Sequence, residues 1–217
     1  MRLKSDSMKN KEESQQEVWN AIAESWHSFR QKPQPQIFSV LKKFSDEWKP
    51  NKILEIGCGN CRNLIPFEYN DFDCYGIDFS ERMLKKAMEY GKKHKLQIKL
   101  KQARATLLPF ETNFFDYVLC ISLLHHLAKD DRIKALREIK RVLKPNGTAI
   151  IAVWNKFQWK FFFKKRDVFI PWHIRNEVHQ RYYHLFTPFE LKRLLKKEGF
   201  KILSHNISGP NLIFVVQ

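Results

Sequence analysis

The 217-residue chain predicts an α/β domain, a mostly parallel sheet with helices on both faces. Three observations carry that expectation. The apolar run Ile53-Leu54-Glu55-Ile56 opens into a glycine-rich turn, Gly57-Cys58-Gly59-Asn60. A second apolar run, Tyr75-Gly76-Ile77, closes on an acid, Asp78. Elsewhere, short apolar runs alternate with stretches of helical period, the pattern of strands joined by crossover helices. In such a sheet a nucleoside pocket forms at the C-terminal ends of the first two strands.

Taken in order, residues 15–30 predict an amphipathic helix, with Val18, Ile22 and Trp26 on one face. Pro33 and Pro35 break it, and a second helix carries Ile37, Leu41, Phe44 and Trp48. Strand 52–56, the glycine turn, a helix over 60–67 and strand 73–78 follow. Ser80 caps the next helix and turns Met83, Leu84 and Ala87 inward. Leu96–Gln102 alternates as a strand, and Phe115–Ile121 is a continuous buried run. A helix starting at Asp130 or Asp131 runs through Leu136, Ile139 and Leu143, and Pro145-Asn146-Gly147 ends it. Thr148–Trp154 is the next strand. Residues 155–182 lose periodicity and turn aromatic and basic, which reads as an insertion over the active-site face. Thr187 caps a last helix to Lys197, Gly199 terminates it, and strands at 200–206 and 211–216 form a C-terminal antiparallel hairpin. No repeat and no second domain emerge; residues 1–14 read as a disordered lead-in and 15–217 as one domain.

The turn favours a single nucleoside-like cofactor. Glycine at Gly57 and Gly59 lets backbone approach a ligand closely, and Asp78 can take both hydroxyls of a ribose. Cys61 stands where a dinucleotide fingerprint carries a further glycine. Cys58-x-x-Cys61 has no second ligand pair in the sequence, so no metal site is expected. The cysteines, the absence of an apolar leader in residues 1–15 and the lack of a membrane-length apolar run together predict a reduced cytoplasmic protein. The formal charge of +16, from 39 Lys and Arg against 23 Asp and Glu, points to a polyanionic partner, most often nucleic acid. The alternative is a set of lysines that merely solvates helix faces.

Glu55-Ile56-Gly57-Cys58-Gly59 resembles the first motif of class I S-adenosylmethionine (AdoMet) methyltransferases. The resemblance implies a Rossmann-like, mostly parallel seven-stranded sheet and AdoMet as cofactor. It further implies that Glu55, Gly57, Gly59, Asp78 and Phe79 hold the cofactor, Phe79 against the adenine. Where that class places an aspartate before Leu-Pro-Phe, this chain reads Ala103-Arg104-Ala105-Thr106-Leu107-Leu108-Pro109-Phe110. Arg104 has no acceptor to offer an adenine amino group, which leaves the backbone of Arg104 and Ala105 to meet it. Ile121, at the end of the fourth strand, leads into Ser122-Leu123-Leu124-His125-His126, which in this fold passes the methionine part of the cofactor.

Three further patches narrow the resemblance: Ala23–Arg30, Asp167-Val168-Phe169-Ile170-Pro171-Trp172 and Arg181-Tyr182-Tyr183-His184-Leu185-Phe186. With the paired histidines they are similar to the tRNA wobble-uridine carboxymethyl methyltransferases, a family related to the methyltransferase domain of AlkB-like tRNA enzymes. The similarity covers nearly the whole chain from about residue 15. It implies esterification of 5-carboxymethyluridine at the wobble position, and a small zinc-binding activator protein as a partner. A carboxylate acceptor is ionised at pH 7 and needs no general base, so the task is positioning. Arg30 and Arg181 are then the candidates to orient the carboxylate or an adjacent phosphate, with His125 and His184 nearby. Tyr182 stacks on or bounds the uracil, and Asp167 orients a loop or one of the cations. In Lys156–Arg166, aromatic residues interleaved with Lys160 and Lys164 suit a tRNA anticodon loop. Two other readings stay open: a small-molecule methyltransferase of the quinone or sterol type, and an RNA-binding pseudomethyltransferase.

Overall fold

The computed structural model describes the chain from residue 3, and its side chains from residue 15; the lead-in expected over 1–14 lies outside the residues described with side chains. Helix α1 (Leu3–Phe29) is followed by α2 (Pro35–Glu47), whose Ile37 and Leu41 are buried. The core alternates β1 (Lys52–Ile56), α3 (Ile65–Glu68), β2 (Asp73–Asp78), α4 (Glu81–His94), β3 (Lys99–Gln102), β4 (Phe115–Ile121), α5 (Lys129–Val142) and β5 (Leu143–Trp154). Then come β6 (Asp167–Ile174), β7 (Glu177–His184), α6 (Pro188–Lys197), β8 (Ile202–Asn206) and β9 (Asn211–Val216). Seven strands form one sheet in the order β3-β2-β1-β4-β5-β9-β8. The β1–β5 pairings are parallel, and β9 runs antiparallel to both β5 and β8.

Alternation along the central strands sorts side chains onto two faces. Leu54, Val118, Ile151 and Phe214 join Leu136 and Ile139 of α5 and Leu191 and Leu195 of α6. Ile53, Leu119, Ile150 and Ile213 join Leu41 of α2, Phe67 of α3 and Leu84 of α4. The two caps read from sequence form as expected. Ser80 Oγ accepts from Met83 N–H at 3.1 Å, and Thr187 Oγ1 accepts from Glu190 N–H at 3.2 Å.

Three expectations are corrected. Helix α5 starts at Lys129 after an Ala128 cap, so Asp130 and Asp131 sit inside its first turn, where they face the helix dipole favourably. It ends at Val142, and Pro145-Asn146-Gly147 lies within β5, around an irregularity between Phe115 and Tyr117 of β4. The insertion is not irregular throughout: residues 167–184 form the β6–β7 hairpin, a separate two-stranded sheet. Val168, Ile170, Trp172 and Ile174 alternate with more exposed residues along β6, and Pro171 is tolerated because β6 has only one strand neighbour.

Helix α1 clasps this hairpin to the sheet. Its Ile22 and Ala23 pack with Met83 of α4, and Trp19 and Trp26 of α1 and Trp172 and Ile174 of β6 all pack against that cluster. Trp172 Nε1 donates to Ser25 Oγ at 3.1 Å, and Gln15 Oε1 accepts from the Tyr182 N–H at 2.9 Å. No helix among the described residues is long and apolar enough to cross a membrane.

Candidate active site

A cavity of about 960 Å³ opens at the C-terminal ends of β1, β2, β4 and β5, between the sheet, α1, the hairpin and α6. At its sheet end, the turn after β1 takes left-handed backbone at Gly57 (φ 68°) and Gly59 (φ 55°). A Cβ at Gly57 would meet Leu123 at 2.8 Å, and one at Gly59 would meet the Trp26 ring at 3.0 Å. Asp78 seals the turn: its Oδ2 accepts from Gly59 N–H at 3.0 Å and its Oδ1 from Ser80 N–H at 2.9 Å. Burial pushes its carboxyl up to about 6, against the pull of those backbone donors.

Phe79, Arg104, Ala105 and Ile121 also face the cavity. The Arg104 side chain reaches back to α1, donating to Gln16 Oε1 at 3.4 Å. Glu55 does not face it. Its side chain lies behind the turn, where Oε1 accepts from Asn63 Nδ2 at 2.6 Å and Oε2 has no hydrogen-bond partner among the described residues. Burial raises its pKa to about 8. Cys58 and Cys61 fill the space beneath the same turn, both sulfurs converging on Gly76. All four cysteines are free and buried.

The hairpin end is crowded with cations. Arg181 is buried on β7, 4.7 Å from the centre of the Trp172 ring. It donates to Tyr183 Oη at 3.0 Å, and its sealed Nε has no partner among the described residues. Arg62, in the first turn after the glycines, is likewise buried, stacked 4.7 Å from Trp26 and bonded to Asn60 Oδ1 at 3.2 Å. Burial lowers its pKa to about 10, opposed by the Glu55 carboxyl and helped by repulsion from Arg30, and Arg181 is lowered by burial and by the same Arg30. Neither Arg62 nor Arg181 is ion-paired with a carboxylate among the described residues. Arg30, Arg62 and Arg181 thus converge from α1, the glycine turn and β7 on one corner of the cavity, where the nearest carboxyl acting on Arg62 is that of Glu55 behind the turn.

His125 and His126 are committed to structure. His125 Nδ1 accepts from the Trp154 N–H at 3.1 Å, and its ring stacks on Tyr183. His126 Nδ1 lies 2.9 Å from the Tyr182 carbonyl, to which it can only donate. Burial drives His125 well below the usual histidine range and His126 to about 3, so both stay neutral at pH 7. His184 bridges two acids, Nδ1 to Asp167 Oδ1 at 3.0 Å and Nε2 to Glu190 Oε1 at 2.9 Å. Tyr182 Oη donates to the same Asp167 oxygen. Burial pushes Asp167 up, but these hydrogen bonds outweigh it and leave the carboxyl below its usual range. Lys160 and Lys164 stand away from the cavity wall. The Lys160 ammonium lies 4.8 Å from the centres of the Trp154 and Phe161 rings.

Linear sequence did not single out Arg62 or Arg132, which the fold turns inward. Arg132 carried a readable signal, a cation on the apolar stripe that continues through Ala135, Leu136, Ile139 and Val142. Arg62 had none, because only the turn's path directs it under Trp26.

A nucleoside pocket at two positive-φ glycines and a strand-end acid, on a 3-2-1-4-5 parallel sheet finished by an antiparallel strand pair, defines a class I methyltransferase fold. Residues 54–151 match the methyltransferase domain family, and AdoMet is the cofactor of this class. Among its relatives, the chain is 27% identical to the tRNA (carboxymethyluridine(34)-5-O)-methyltransferase of Schizosaccharomyces pombe, over 90% of this chain and 92% of that one. It is 29% identical to a putative methyltransferase of Encephalitozoon cuniculi, covering 83% and 85% respectively. Its fold superposes on a protein from Pyrococcus horikoshii with a TM-score of 0.72 at 22% identity, covering 84% and 88%. The cavity residues fit the cofactor: the positive-φ turn at Gly57 and Gly59 opens onto the cavity, and Asp78 beside it keeps lone pairs free for ribose hydroxyls. Bound there, AdoMet supplies an electrophilic methyl group on a sulfonium.

Proposed function

We propose that this chain transfers the AdoMet methyl group to the carboxylate of 5-carboxymethyluridine at the wobble position of tRNA, forming the methyl ester. One observation carries this reading: the acceptor corner holds Arg30, Arg62 and Arg181 with no carboxylate partner among the described residues, beside two histidines held neutral by burial. Such a corner favours an anionic acceptor that is its own nucleophile. Arg181 and Arg30 would hold one carboxylate oxygen in line with the methyl carbon, and no side chain need remove a proton. The similarity to the Schizosaccharomyces pombe enzyme supports the same acceptor.

The approach of an anticodon loop is supported outside the cavity. Trp159 and Phe163 are 88% and 91% exposed, and Phe157 and Phe162 are also exposed, interleaved with Lys160, Lys164 and Lys165. Exposed rings between cations suit unstacked bases and their phosphates. A zinc-binding activator protein belongs to the same reading as an added component of the assay.

The test is radiolabelled methyl transfer from AdoMet to bulk tRNA, with and without a candidate activator, followed by nucleoside mass spectrometry. A base-labile methyl ester on wobble uridine is expected. A base-stable methyl group, or label on a small molecule and none on tRNA, would remove this acceptor.

A further inference from the structure

Arg132 is a buried charge without a hydrogen-bonded partner among the described residues. It is only 6% exposed, yet its side chain makes no hydrogen bond and no ion pair among the described residues. Its guanidinium lies 5.4 Å from the centre of the Phe186 ring and borders the cavity. A buried guanidinium with idle donors is costly unless something meets it. Its place on the core stripe of α5 shows that the cost is built in rather than incidental.

A guanidinium fork is satisfied by an anion or by the carbonyl edge of a neutral group. The surroundings select the second. At the Arg30–Arg62–Arg181 corner the carboxyl that Arg62 feels is Glu55, which burial raises to about 8 and so keeps mostly protonated, whereas Arg132 feels Tyr182 and the carboxylates of Asp167, Glu190 and Asp130. These acids disfavour an incoming anion. They also supply what a neutral polar edge needs, a hydrogen-bond acceptor beside a donor. Asp167 binds His184 and Tyr182 through Oδ1 alone, and its Oδ2 carries no hydrogen bond among the described residues. Arg132 and Asp167 line one cavity and are too far apart to form an ion pair.

We propose that Arg132 and Asp167 together read the imide edge of the acceptor pyrimidine, a specificity site resting on the wobble-uridine reading above. The Arg132 fork donates to the O4 carbonyl oxygen, and Asp167 accepts from the N3–H. Uracil offers that acceptor and donor side by side. Cytosine reverses both, setting its amino group against the guanidinium and its N3 lone pair against the carboxylate.

The test uses the full chain saturated with S-adenosylhomocysteine and two anticodon stem-loop RNAs that differ only in uridine or cytidine at the wobble position. Fluorescence anisotropy is expected to show roughly tenfold tighter binding of the uridine RNA by the wild type. Arg132→Gln is expected to bind both RNAs alike while S-adenosylhomocysteine affinity stays within about twofold. Arg132→Lys keeps the charge and loses the fork, so it too is expected to lose the preference. A wild type that binds both RNAs alike, or an Arg132→Lys chain that keeps the tenfold ratio, overturns the proposal. Methyl transfer to a carboxymethyl-bearing stem-loop, run in parallel, separates this site from the proposed reaction. Uridine preference without transfer removes the reaction and leaves the base-reading site, and transfer without preference does the reverse.

Discussion

At the glycine-turn end of the cavity the protein presents mostly backbone, whereas at the hairpin end it presents side chains gathered from α1, α5, β7 and α6. The turn end is defined within about 25 residues, by two positive-φ glycines and a carboxylate that accepts from Gly59 and Ser80 N–H groups. The hairpin end joins Arg30 to Arg181 across most of the chain. The contrast teaches that cofactor and acceptor sites are separable here. Damage to the first should abolish binding of any AdoMet analogue, and damage to the second should spare it.

The largest effect is expected from Asp78→Ala. It removes the ribose acceptor and unties Gly59 and Ser80, so calorimetry should show S-adenosylhomocysteine affinity falling at least about 100-fold. Affinity within threefold of wild type would move the nucleoside elsewhere. Next comes Arg181→Met, which keeps the packing volume against Trp172. We expect kcat/KM on tRNA to fall about 100-fold with cofactor affinity unchanged; a matching loss of cofactor binding would merge the two ends of the cavity into one.

Glu55→Gln sharpens the comparison through pH. Glu55 has a folded pKa raised from 4.5 to about 8. Its stabilising effect is therefore full below about pH 4.5 and is lost progressively as pH rises from there through about 8. The neutral amide removes this titration. Its stability relative to wild type should rise by about 3 kcal/mol between pH 6 and pH 9, read from urea melts. An unchanged difference between the two pH values would mean that the carboxylate finds a partner when ionised. The smallest effect is expected from Lys160→Ala with Lys164→Ala, which lie off the cavity wall. For each phosphate that these lysines neutralise, their removal should flatten the salt dependence of tRNA binding by roughly 0.7 in the log–log slope, without changing cofactor affinity. An unchanged slope would place the RNA on another face.

Much of the fold was legible because its signals are local. Apolar runs marked the strands of the sheet, and Ser80 and Thr187 capped their helices as read. The β6–β7 hairpin was written in the same alternation, Val168-x-Ile170-x-Trp172-x-Ile174, but Pro171 and the neighbouring basic, aromatic run obscured it. At the site, Asp78 and the two glycines were readable because backbone geometry selects residue type there. Glu55, read as holding the cofactor, has its side chain behind the turn on Asn63, since a motif states which residues recur and not which way each side chain points.

By itself, then, the sequence determined the α/β class, the glycine turn and the strand-end acid, all of which depend on neighbours within a turn or a strand. Only the tertiary structure decided which cations meet. Arg30, Arg62 and Arg181 share one corner, with neither Arg62 nor Arg181 ion-paired among the described residues, because α1 clasps the hairpin over the sheet. Arg132 of α5 and Asp167 of β6 line one cavity, although they lie on elements well separated in the sequence. Electrostatic coupling depends on separation in space, and a linear sequence carries that separation only through the fold.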